Sequence, residues 1–301
     1  MKHMIALILF ALISILPGYA ADSELPLVGK IAYTALPGEL QVLDLQTNEV
    51  ERFSREYAQL LISPDWHHEG RLLATDEELL VLDTVTNERE FLRVEGLFPA
   101  WHPTQNRLLF SQRGGIVLHD FELDESVSIT FPTVRALHPD WHPTDNAIIF
   151  TGRFRGVTPV QDRTFILDLD CVEAGNYPEQ PVEIGADLNH SNPSWNSTGE
   201  YILVQEEVAF LQYETIIMDR QGQIIRRLTP EGEEDNSAVW GPCDRYVLVA
   251  REGVAPPAGN FHIIDLMTDE ITQIMAGRGG GPSWWWDADE IDCEPFEIEA
   301  R

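Results

Sequence analysis

The stretch Pro139-Asp140-Trp141-His142-Pro143-Thr144-Asp145-Asn146, running into Ala147-Ile148-Ile149-Phe150, is nearly repeated earlier in the chain. The earlier copy is Pro99-Ala100-Trp101-His102-Pro103-Thr104-Gln105-Asn106, running into Arg107-Leu108-Leu109-Phe110. Looser copies centre on Trp66, Trp195, Trp240 and Trp284, so six tryptophans recur at spacings of 35 to 54 residues. Self-similarity at such a period restricts a chain to a solenoid, a propeller or an array.

A second unit recurs between the tryptophans. Leu40-Gln41-Val42-Leu43-Asp44 is an apolar run ending in Asp, followed by a Thr/Asn turn and a further run to Phe53. Its counterparts end at Asp83, Asp120, Asp168, Asp219 and Asp265. Two β-like runs around a polar turn form a hairpin. The repeat is therefore a four-stranded antiparallel meander. Strand A carries the Trp, a tight turn leads to strand B, strand C ends in Asp, and strand D completes the unit. No segment shows a capped helical period, so almost no helix is expected. The fold class is all-β, a six-bladed β-propeller. The N-terminal portion supplies strands B, C and D, and Pro282-Ser283-Trp284 supplies the missing strand A. Pairing of the two ends closes the ring and removes open sheet edges. The tail from Ile291 to Arg301 is expected beside the first blade or around the closure. Each Trp is expected between blades, where a large aromatic buries much area at small entropic cost.

The first segment reads differently. Met1-Lys2-His3 is a short basic start, Ile5 to Leu16 is an apolar run too short for a permanent span, and Pro17-Gly18-Tyr19-Ala20 presents small residues before a cut. Residues 1–20 are read as a secretory signal peptide and 21–301 as the propeller domain, periplasmic or secreted, with no membrane span in the mature chain. Cys171, Cys243 and Cys293 leave at least one thiol unpaired, and the spacing does not say which two pair. The formal charge is −30, with Lys2 and Lys30 the only lysines. A field of that sign argues against nucleic acid and anionic membrane as partners.

The Pro-x-Trp-x-Pro-x-Asp/Asn segment and the apolar-Asp hairpin together resemble the repeat of TolB-type six-bladed β-propellers, from about Lys30 to Trp284. His67, His102 and His142 stand where that family often has Ser. The resemblance implies a monomeric binding or scaffold module without a cofactor, engaging a protein partner in the cell envelope or an anionic ligand. The alternative is a carbohydrate lyase or hydrolase: His190-Ser191-Asn192-Pro193-Ser194-Trp195 is similar to the His-lined channel of oligogalacturonate lyases, which share the repeat.

In a meander blade the A–B and C–D turns share one face and the B–C and D–A connections share the other. The first face should be acidic, with Glu69, Asp145, Asp244, Asp287 and Asp289. The second should carry long loops, Thr151 to Arg163, Gln205 to Glu214 and Arg251 to Asn260, where binding usually resides. Arg113, Arg135, Arg153, Arg155, Arg163, Arg251 and Arg278 fall there, with His138 and His190 beside them. Arginine grips carboxylate or phosphate bidentately, so these nine residues are the candidate ligand- or partner-binding set. The rival reading is that the arginines pair with the protein's own carboxylates. His67, His102 and His142 are expected to serve turn packing rather than a metal, whose ligands must converge. No nucleophile elbow is present, and no catalytic, metal or cofactor residue is assigned.

Overall fold

The computed structural model describes residues 27–35, 39–53, 62–75, 79–92, 94–173, 181–252, 261–274, 279–287, 291 and 296–298. Six four-stranded antiparallel sheets make up the fold, each a meander in chain order except the first. That first blade joins Lys30–Ala35, Glu39–Asp44 and Val50–Phe53 to the last strand, Gly279–Trp285. Ile31 lies opposite Trp284 and Lys30 opposite Trp285, so the ring is closed by its two ends, as the repeat count requires. The one α-helical element among the described residues is Leu169–Glu173.

The Trp-bearing strands are Ile62–Trp66, Leu97–Trp101, Val134–Trp141, His190–Trp195, Glu234–Trp240 and Gly279–Trp285. Each is the terminal strand of its sheet and touches the corresponding strand of a neighbouring blade, so the six form the inner wall of the ring. The apolar core is divided into six clusters, one per blade–blade interface. Each cluster holds one repeat tryptophan: Trp66, Trp101, Trp141, Trp195, Trp240 or Trp284. Three of the indoles also donate to a carbonyl of the preceding blade, Trp66 to Ser283, Trp141 to Ala100 and Trp240 to Ser194, at 3.0–3.2 Å.

The polar letters of the repeat cap turns. The strand-C aspartates accept backbone N–H groups two to four residues on: Asp44 from Gln46 and Thr47, Asp83 from Val85 and Thr86, Asp120 from Glu122 and Leu123. This side-chain turn is why Asp recurs there. In four blades the residue after the Trp caps the A–B turn, His67, His102, His142 or Asn196, whereas Gly241 brings no side-chain cap. Nδ1 of His102 accepts from Thr104 and Gln105, and Nδ1 of His142 accepts from Thr144 and Asp145, while Asn196 Oδ1 serves Glu200 and Tyr201. Each imidazole also lies edge-on to the next blade's indole, His67 on Trp101, His102 on Trp141 and His142 on Trp195, with centroids 4.6–4.7 Å apart. An imidazole that accepts a backbone N–H must be neutral. Burial accordingly holds His67 and His102 down near 4.

Two expectations are corrected. Of the long B–C loops, Gln205 to Glu214 is mostly strand, Tyr201–Ala209 pairing with Gln212–Asp219 around a two-residue tip, whereas Thr151 to Arg163 keeps residues 155–161 as a loop between Ala147–Phe154 and Asp162–Asp168. Phe210 at the two-residue tip is 87% exposed. Residues 253–260 of the third loop lie outside the described residues. The tail packs elsewhere than at the closure. Ile298 joins the apolar cluster between the fifth and sixth blades, and Phe296 N–H donates to the Cys243 carbonyl. Cys243 is disulfide-bonded.

Candidate functional site

Each inner strand is bulged just before its tryptophan. The ladder slips between Ile62 and Asp65, Leu97 and Ala100, Leu137 and Asp140, and Ser191 and Ser194. Three residues before the Trp, Ser63, Phe98, His138, Asn192 and Gly281 all have φ between 47° and 57°. A bulge re-aims side chains and tightens a strand's twist. Here the bulged residues meet across blades: the rings of Phe98 and His138 are 3.7 Å apart, and a Cβ on Gly281 would lie 3.4 Å from Ser63. His138 is thus part of the inner ring. Its Nδ1 has no hydrogen-bond partner, and burial holds its pKa near 4.

One residue before the Trp, two inner strands carry carboxylates. Asp65 accepts the Trp101 N–H at 2.7 Å, and Asp140 accepts the Trp195 N–H at 2.8 Å. Removal from bulk water raises Asp65 to about 6 and Asp140 to about 7, the charge of Asp65 adding to the rise at Asp140. Where the acid takes the backbone N–H of the next blade, that blade's indole N–H, on Trp101 or Trp195, is left without a partner.

At the loop-side mouth the candidate arginines divide. Arg251 is buried against Asp235, which is 0% exposed, and reaches Glu233 as well. Arg153 grips Asp162 with two nitrogens. Arg163 pairs with Glu183 at 3.3 Å and donates to the Leu188 carbonyl. Arg113 lies 3.9 Å from Glu95, with both side chains exposed. The Arg135 stem and the Arg155 guanidinium both lie beside Gly114, Arg155 donating to its carbonyl, and no carboxylate among the described residues pairs with either. Arg278 lies outside the described residues. His190 is 1% exposed, its ring held between the Thr164 hydroxyl at 2.7 Å and the Gly185 carbonyl at 3.2 Å. The structure therefore brings Arg135 and Arg155 together and disperses the rest. It does not bring His138 and His190 to one point with a third ligand, and no group of three metal-binding side chains occurs among the described residues.

The opposite mouth holds a cavity of about 630 Å³ that the sequence reading did not single out. Trp66, Trp101, Trp284, Trp285 and Trp286 wall it, with His68 and His102, and Asp65, Glu69 and Asp287 supply its carboxylates. Trp285 lies over Gly70 and beside Trp66, with ring centroids 5.9 Å apart, and its indole reaches the His68 carbonyl at 3.4 Å. The signal was present as Trp284-Trp285-Trp286. Only the closure of the ring, which sets this run beside the turn of the second blade, turns three adjacent letters into a wall.

No family model and no curated protein matches the chain. Solved structures do. TolB from Acinetobacter baumannii superposes with a TM-score of 0.67 at 20% identity, over 86% of this chain and 67% of that one. A protein described as putative TolB from Agrobacterium tumefaciens gives 0.60 at 14% identity, over 84% of this chain and 91% of that one. The fold is that of the TolB propeller. This TolB-like ring contains, among its described residues, no helix long and apolar enough to cross a membrane.

Proposed function

We propose that the chain is an exported, non-catalytic propeller that binds a protein partner at its turn-side mouth. The observation that carries this is the indole-walled cavity. A rigid ring of six blades presents five tryptophans and three carboxylates around one concavity of small-ligand size. Tryptophan is the residue most often found at energetically dominant interface positions. The TolB-like fold and the signal-like N-terminus support export to the periplasm.

A second reading is favoured by one observation. The Arg135 stem and the Arg155 guanidinium share the site beside Gly114 in a protein of charge −30, and no described carboxylate pairs with either. That arrangement suits a carboxylate or phosphate at the loop-side mouth.

Capture from an envelope extract separates the two readings. The bait is compared with Glu69→Arg/Asp287→Arg at one mouth and Arg135→Glu/Arg155→Glu at the other. A defined partner lost only by the first variant supports the turn-side mouth, and one lost only by the second supports the arginine pair. A partner retained by both refutes both placements.

A further inference from the structure

The lining of the turn-side cavity has one electrostatic sense. It includes Asp65, Glu69 and Asp287 and, among the described residues, no lysine or arginine. Of its two histidines, His102 is a turn cap that must stay neutral, its Nδ1 accepting two backbone N–H groups. Indole faces carry the negative end of the ring quadrupole, so they add to the field of the carboxylates rather than offset it. Trp285 and Trp286 are half-buried and offer ring surface, whereas Trp66, Trp101 and Trp284 are committed to the core. Trp101 is 5% exposed, and its indole N–H is buried without a partner.

We propose that this cavity binds an organic cation, an alkylammonium or guanidinium group. The assignment rests on the turn-side mouth being the recognition surface, and it names the chemistry recognised there. Weakly hydrated, bulky cations lose little on entering an aromatic site, whereas a small metal ion needs several convergent oxygen ligands. Asp65 sits on an inner strand, Glu69 on a turn of the second blade and Asp287 beyond the closing strand, a spread suited to a diffuse charge. Two sources share this chemistry: a choline-type head group, and a basic side chain carried on a peptide.

Titration of the full mature chain tests the proposal, followed by tryptophan fluorescence and calorimetry at constant ionic strength. The probes are choline, N-acetyl-arginine amide and 3,3-dimethylbutanol, the uncharged isostere of choline. A cation is expected to bind about tenfold more tightly than the isostere, with sodium chloride at equal ionic strength without effect. The order of choline and the arginine derivative tells which source fits. Glu69→Gln/Asp287→Asn, two exposed side chains, should weaken the cation several-fold and leave the isostere unchanged. Trp285→Ala should abolish the preference, with its melting curve recorded because the ring also packs on Trp66. Equal binding of choline and dimethylbutanol, or saturation by neither cation in the millimolar range, overturns the assignment. Partner capture that depends on Glu69 and Asp287 but is indifferent to both cations overturns it too, and leaves the mouth itself standing.

Discussion

Asp140→Asn should make the protein more stable at neutral pH and change the shape of its stability profile. The Asp140 carboxyl is enclosed by the inner ring and held near 7, against 3.8 in the unfolded chain. The sign follows from which state loses its proton first. As pH rises from about 4, the unfolded chain ionises at this position while the folded one keeps its proton. Stability therefore falls between about 4 and 7 and is flat above. At 1.36 kcal/mol per pH unit the ceiling is about 4 kcal/mol. Water reaching the partly exposed carboxyl cuts this to about 2 kcal/mol. Asparagine keeps the acceptor for the Trp195 N–H, and loss of a weaker second bond from Trp141 costs at most about 1 kcal/mol. The net expectation is a gain of about 1–2 kcal/mol at pH 8, or about 2–8 °C in melting temperature, and no gain at pH 4. His67 and His102, held near 4, work in the opposite sense over about 4 to 6.5, so the wild-type profile is a sum. The difference between variant and wild type cancels the histidines and leaves Asp140 with its coupling to Asp65. Thermal melts at half-unit steps from pH 4 to 8 supply it. A difference that stays constant with pH would refute the reasoning, because the carboxyl would then be as easily ionised folded as unfolded.

Other perturbations probe other links. Trp141→Ala should cost about 3–5 kcal/mol in chemical unfolding, since the ring is buried within one blade-interface cluster and bonds Ala100; an unchanged midpoint would remove its packing role. Arg251→Met should cost about 3–5 kcal/mol by stranding the buried Asp235 charge, and adding Asp235→Leu should recover most of that loss in the same unfolding assay. His102→Ala should lower the melting point at pH 7 by about 1 kcal/mol equivalent, and the deficit should shrink toward pH 4, where wild-type His102 protonates and gives up its cap. Reduction of the Cys243 disulfide should lower stability by about 2–4 kcal/mol, read as the melting shift between oxidised and reduced samples.

The ring itself was legible because its determinants are local and repeated. One tryptophan per unit, one Asp at the end of each third strand and, in four units, a turn-capping residue after the Trp are short-range signals, and six copies remove ambiguity. Even the histidines follow: Nδ1 accepts turn N–H groups as a serine oxygen can, so His102 and His142 replace that letter without changing the turn. The mouths were not legible. Whether Arg153 faces a ligand or Asp162 depends on cross-strand register, and the polar letters from Gln205 onward hide the strand alternation of Tyr201–Ala209. The indole cavity joins residues more than 200 positions apart, Trp66 with Trp285, which no local pattern can report.

The closing strand has a consequence for how the molecule comes into being. An open array of repeats frays from its ends and can lose one unit at a time. A ring has no end unit. Until Gly279–Trp285 is in place, the first blade lacks its inner strand and the Trp66 indole lacks its acceptor on Ser283. The interfaces flanking that gap are then incomplete, so a partial ring gains little from the blades it already has. Assembly is thereby made to wait for the end of the chain. A circular permutant that begins at Gly279 would convert this last, longest-range step into an ordinary hairpin, and should fold faster to the same ring.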